Sequence, residues 1–116
     1  MSDLRARILN ADDVRSEDVE VPEWGVTVRV QGMTGAERAR YLQATVGEDG
    51  KPNFDRIYPE VLIACAYDPE TGEKVFEAAD RDALNGKAAG ATERIAKVAM
   101  RLSGIADDAR AEAKNA

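Results

Sequence analysis

The chain has 116 residues, room for one ordinary domain with a core of its own and too few for two. Its composition, 44% hydrophobic and 33% charged, is that of a globular protein, and with aromatics at only 5% the core must be built from Val, Leu, Ile and Ala. The net charge of −6 argues against nucleic acid and against an anionic membrane surface as partners, because phosphate neutralisation needs a surplus of Lys and Arg.

There is no histidine, which removes Ser-His-Asp and Cys-His catalysis and the common zinc sites. Cys65 is the sole cysteine, so no disulfide can close within one chain, a usage that fits a reducing compartment. No stretch is long and apolar enough to cross a bilayer. The opening residues lack the apolar centre of a secretion signal, so the protein is expected to stay where it is made.

In chain order, the first stretch carries Leu4, Ile8 and Leu9 among charges and stops at the polar run Asn10 to Asp13. Val19-Glu20-Val21 and Val26-Thr27-Val28-Arg29-Val30 alternate β-branched and polar residues, the pattern of half-buried strands. Pro22-Glu23-Trp24-Gly25 between them reads as a hairpin turn. Thr34 and Glu37 have capping-box spacing and open a helix expected to run to about Val46, with Ala39, Leu42 and Val46 on one face. A second helix is expected over Phe54 to Tyr67, with Phe54, Ile57, Val61, Leu62 and Cys65 inward, and Pro59 tolerable only in its first turn. Asp68 to Glu73 breaks it, and Val75-Phe76 is an apolar return segment. Asp80 can cap a short helix ending near Asn85-Gly86. A longer helix spans about Lys87 to Ser103, with Ala88, Ala91, Ile95, Val98, Ala99 and Leu102 as its stripe. Gly104 is placed for a left-handed C-cap, with Ile105 folding back onto the last turn. The expected architecture is α+β: a small antiparallel β-hairpin packed against three to four α-helices, mostly helical. Residues 1–105 are expected to form one domain and 106–116 a flexible alanine-rich tail.

No constellation for chemistry emerges. Gly86-Lys87 lacks the earlier glycine and the following Ser or Thr of a phosphate loop. Asp80-Arg81-Asp82 lacks the later ligands of a calcium loop. The pairs Asp12-Asp13 and Asp107-Asp108 read as solvated charge. Cys65 sits on an apolar face with no base to activate it. No catalytic residue, metal ligand or cofactor site is therefore expected, and the protein reads as a non-enzyme. Trp24 is the one candidate partner contact. It either folds over one end of the sheet or anchors an interface from the hairpin tip. The helix stripes likewise either pack within the monomer or leave a strip open for another helix.

The order of features carries a resemblance. Val19 to Gly25, the strand with Arg29, and Met33-Thr34-Gly35-Ala36-Glu37-Arg38 are similar to the start of tail assembly chaperones of long-tailed, siphovirus-type bacteriophages, especially those of actinobacterial hosts. The helix before Tyr67-Asp68, the Glu70-Thr71-Gly72 loop, Val75-Phe76, Ala83 to Ala89, Arg94-Ile95 and Val98 to Ile105 continue it over nearly the whole chain. The resemblance implies a non-catalytic protein that binds the tape measure protein and keeps it soluble while the tail tube polymerises. It further implies that this chain is the short form, that a frameshifted longer form recruits the tail tube protein, and that the protein acts in the host cytoplasm and is absent from the mature virion. Whether it is a homo-oligomer is left open. The alternatives are a small structural tail component retained in the virion, or a small-ligand enzyme.

Overall fold

The structure, a computed structural model, describes residues 3–105, and the tail expected over 106–116 lies outside the described residues. The hairpin forms where the alternation places it. Strand β1 (Ser16–Val21) pairs antiparallel with β2 (Val26–Gln31) from Ser16 opposite Gln31 to Val21 opposite Val26. Val19, Val21, Val28 and Val30 point to the buried face, while Asp18 and Arg29 meet across the other face in a bidentate pair at 2.8 and 3.2 Å. Pro22 to Gly25 closes the turn, with Gly25 at φ 65° and the Trp24 N–H donating to the Val21 carbonyl at 3.0 Å.

The sheet has a third strand that the sequence pattern does not announce. Helix α3 (Phe54–Cys65) ends two residues before its expected limit, and Ala66–Tyr67 becomes β3, antiparallel to Val30 and Arg29 of β2. Ala66 leaves the helical region while its N–H still bonds the Leu62 carbonyl, so sheet pairing takes over at the last helical turn. The Asp68 side chain then accepts from the Glu70 N–H at 2.8 Å, and Gly72 at φ 77° turns the chain back. The Val75 N–H reaches the Ala66 carbonyl at 3.1 Å, which places the return segment beside β3.

Helix α1 (Asp3–Leu9) precedes the sheet and buries none of its residues. Helix α2 (Gly35–Ala44) opens with the complete capping box between Thr34 and Glu37. Its buried face differs from the expected one. Tyr41 and Thr45 are buried, whereas Ala39, Leu42 and Val46 are exposed. The large ring of Tyr41 outweighs the smaller aliphatics in choosing the inward face, and the buried Thr45 hydroxyl is satisfied by donating to the Leu42 carbonyl at 3.0 Å.

In α3, Val61, Leu62 and Cys65 are fully buried as expected, but Phe54 is 81% exposed because the packed part of the helix begins only at Pro59. Pro59 lies beyond the first turn, so it removes the N–H that the Asp55 carbonyl would accept. The Asn85 side chain supplies the missing donor, with Nδ2 at 2.7 Å from the Asp55 oxygen. Asp80 does not cap α4 (Arg81–Asn85). Helical winding starts earlier, in a 3₁₀ turn over Ala78–Asp80, and the Asp80 carboxylate accepts from the Glu77 N–H at that turn's start.

Helix α5 (Ala89–Leu102) lies on the buried face of β1 and β2 and packs against α3. Ala91, Thr92, Ile95, Ala96 and Ala99 are buried, Val98 and Leu102 are half-buried, and Ala88 is an exposed N-cap rather than part of the stripe. Gly32 lets β2 approach this helix, since a Cβ there would stand 2.8 Å from the Leu102 carbonyl oxygen. The C-terminus is the expected left-handed cap: Gly104 has φ 74°, its N–H bonds the Arg101 carbonyl, and the Ile105 N–H bonds that of Met100 at 2.9 Å. The domain is thus α+β and mostly helical, with five α-helices and a three-stranded antiparallel sheet among the described residues.

Candidate interaction surface

Trp24 sits at the hairpin tip. Its ring is half-buried and packs against the core cluster, so folding over one end of the sheet is what the side chain does in this structure. Next to it, Glu23 pairs with Arg94 of α5, and at the other end of β1, Glu17 pairs with Arg101 of the same helix. These two arginines lie two helical turns apart and fasten the hairpin along α5. The part of Trp24 left to solvent, together with Pro22 and Gly25, forms the tip.

The hydrogen bond from Arg94, with help from a backbone N–H, holds the Glu23 carboxyl below its ordinary range, and the one from Arg29 does the same for Asp18. Because folding lowers these pKa values, the stabilisation is complete above the unfolded-state values and is lost as the pH falls from there through the lower folded-state values. Stability should therefore decline on acidification below about pH 5. The Glu23→Gln variant should show a shallower decline in urea melts across pH 3 to 6. An unchanged acid limb would show that the hairpin clasp is not linked to protonation.

Larger apolar exposure lies elsewhere. At one end of the α2–α3 pair, Leu42 and Val46 on α2 and its C-terminal turn, and Phe54 and Tyr58 on α3, are all exposed. The connecting loop draws them to one end: Val46 bridges to Pro52, the Asn53 N–H bonds the Thr45 carbonyl at 2.7 Å, and Phe54 follows directly. A second apolar strip is the Leu4, Ile8, Leu9 face of α1. A groove of about 510 Å³ runs between Val26 to Val28 of β2 and Tyr67 at the end of β3, with Pro69 and Val75 beyond it. The sequence pattern put Leu42 and Val46 on one apolar face and Phe54 on another and left open whether such faces pack or stay exposed, so it did not single out the α2–α3 surface. The signal for it was Tyr41, whose inward turn carries Leu42 outward.

Cys65, Tyr41 and Glu60 are the buried titratable side chains among the described residues. Cys65 is fully buried, and burial, with a smaller contribution from Glu37, pushes its thiol up to about 12. Tyr41 is shifted upward for the same first reason. The Glu60 carboxylate is buried against Arg81, with Nε 2.5 Å from Oε1. Among the described residues, no group of three or more Cys, Asp or Glu side chains could hold a metal ion, and no helix is long and apolar enough to cross a membrane.

This geometry has a counterpart among solved structures. It is the α+β fold seen in the solved structure of the bacteriophage HK97 tail assembly chaperone, with a TM-score of 0.62 over 92% of this chain and 100% of that one. The two sequences are 23% identical, so the likeness is one of fold. No protein-family model and no curated protein matches the chain.

Proposed function

We propose that this protein is a non-catalytic tail assembly chaperone of a long-tailed phage, which binds the tape measure protein and keeps it soluble while the tail tube polymerises. The observation that carries this reading is the shared fold over the full length of the HK97 chaperone. The family resemblance in the order of sequence features supports it independently, as does the exposure of apolar side chains on a strongly acidic chain. Apolar patches on a small body suit reversible cover of helical apolar surface, and the net charge of −6 keeps such complexes apart. On this reading the chain is the short form, a longer frameshifted form recruits the tail tube protein, and both work in the host cytoplasm.

Coexpression tests the proposal. The protein should raise the soluble yield of the matching tape measure protein and copurify with it. Trp24 is proposed as one contact residue at the hairpin tip. The Trp24→Ala variant should lose stability, by about half of the 3–5 kcal/mol typical of a fully buried aromatic, and should also weaken copurification when assayed well below its melting temperature. A variant that melts earlier yet copurifies in full would assign Trp24 to packing alone. A wild-type protein that neither binds nor solubilises the tape measure protein would defeat the chaperone reading.

A further inference from the structure

We propose that the edge of β2 over Val26 to Val28 is a docking site for an extended segment of another protein, which pairs with it as a further strand in line with β3 and carries aliphatic side chains between basic ones. The docking rests on the sheet edge alone and is independent of the chaperone reading. The Gly32 N–H bonds the Arg15 carbonyl at 2.9 Å, and in an antiparallel pair such bonded positions alternate along the strand. Val26, Val28 and Val30 therefore direct their backbone groups at β1, whereas Thr27 and Arg29 direct theirs away from it. Arg29 meets Tyr67 there, but β3 ends at that residue. Continued in register, β3 would put Pro69 opposite Thr27, and proline has no N–H to give. The chain instead folds back on itself, with the Asp68 N–H bonding the Glu73 carbonyl at 2.8 Å. The Thr27 N–H and carbonyl are left at an edge with no strand beside them.

Sheet edges are commonly guarded by a lysine, a proline or a bulge. Val26-Thr27-Val28 has neither residue, and its register with β1 is unbroken. Along this backbone runs the groove of about 510 Å³, to which exposed Val26 and Val75 give an apolar wall. A strand laid there gains main-chain hydrogen bonds from Thr27 and a place for an alternate aliphatic side chain, the mode by which extended peptides add to a sheet. Charge decides the rest of the occupant's chemistry. Asp68 and Glu70 line the groove, no Lys or Arg does, and Glu20 stands across from Thr27 on the same face. Neither Glu20 nor Glu70 has an ion-pair partner among the described residues. Lysine or arginine flanking the aliphatic residue would meet these carboxylates, whereas an acidic segment is repelled.

Hydrogen exchange and chemical shifts read by NMR test this, with a short capped peptide that alternates valine with lysine and threonine as the probe. In the free protein the Thr27 amide should exchange rapidly while those of Val28 and Val30 are protected. With peptide added to about 1 mM, Thr27 exchange should slow at least tenfold, with shifts confined to Val26 to Val28 and the Tyr67 to Val75 stretch. The same peptide with glutamate for lysine should bind at least tenfold more weakly. Val26→Lys and Glu70→Lys, both at exposed positions, should keep the wild-type melting temperature and each lose at least tenfold in affinity for the basic peptide. A Thr27 amide already protected in the free protein overturns the proposal, whether another segment of this chain or a second copy then fills the edge. So does a basic peptide that leaves Thr27 exchange unchanged, a glutamate peptide that binds as well as the basic one, or a pair of folded variants that bind like wild type.

Discussion

Replacing Ile95 by alanine should cost about 2–5 kcal/mol of folding stability, the largest loss expected from a single aliphatic truncation in this domain. Ile95 has no exposed surface and belongs to the core cluster, on the helix that packs against both the sheet and α3. Its buried neighbours on α5 are Ala91, Ala96 and Ala99, with Thr92, whose hydroxyl is tied to the Ala89 carbonyl. Alanines cannot swing into the space a truncation leaves, so the cavity should persist instead of collapsing, which places the cost toward the upper half of the range. Against a total of about 5–15 kcal/mol for a domain of this kind, that is a large fraction, and the melting temperature should fall by well over 10 °C. Val98→Ala on the same helix is half-buried and should cost about 1 kcal/mol. Urea melts of the two variants check the ordering. Equal small losses would mean that α5 does not close the core as described.

The second large effect concerns Arg81. Its guanidinium reaches from α4 to the Glu60 carboxylate on α3, whose side chain is only 9% exposed against 31% for Arg81. Arg81→Ala should cost about 2–3 kcal/mol, less than the 3–5 of a fully buried pair because water still reaches the arginine side. The loss is the penalty of leaving a desolvated carboxylate unpartnered, not the worth of the pair. The double variant Glu60→Leu with Arg81→Leu should therefore recover most of it, and the two single changes should be far from additive. A double variant as unstable as the sum of its parts would contradict this account of Glu60.

Much of the fold was legible because its signals are local. The alternation in Val26 to Val30, the Thr34–Glu37 box and the Gly104 cap each depend on a few adjacent residues, and all three are realised. What the sequence hid depends on tertiary choices. Ala66 and Tyr67 continue a helical pattern, and only the open edge of β2 at Val30 and Arg29 turns them into a strand. The apolar residues of α2 suggested one face and Tyr41 imposed another, which is why Leu42 and Val46 lie outside. Pro59 reads as tolerable only in a first turn, but Asn85, distant in sequence, makes it tolerable inside the helix. The candidate surface was the least legible part, since exposed aliphatics and core aliphatics are the same residues in a one-dimensional reading. Trp24 was visible as a singular residue at a turn, and the structure adds that its ring packs on the core.

The proposed chaperone role requires the protein to serve tail assembly without becoming part of the tail. Quantitative mass spectrometry of assembly intermediates and purified virions from one infection tests it most directly. The account predicts this chain in complexes with the tape measure protein in the lysate and its absence from the finished particle. Its presence in the virion at a fixed stoichiometry would contradict the account and identify a structural tail component instead.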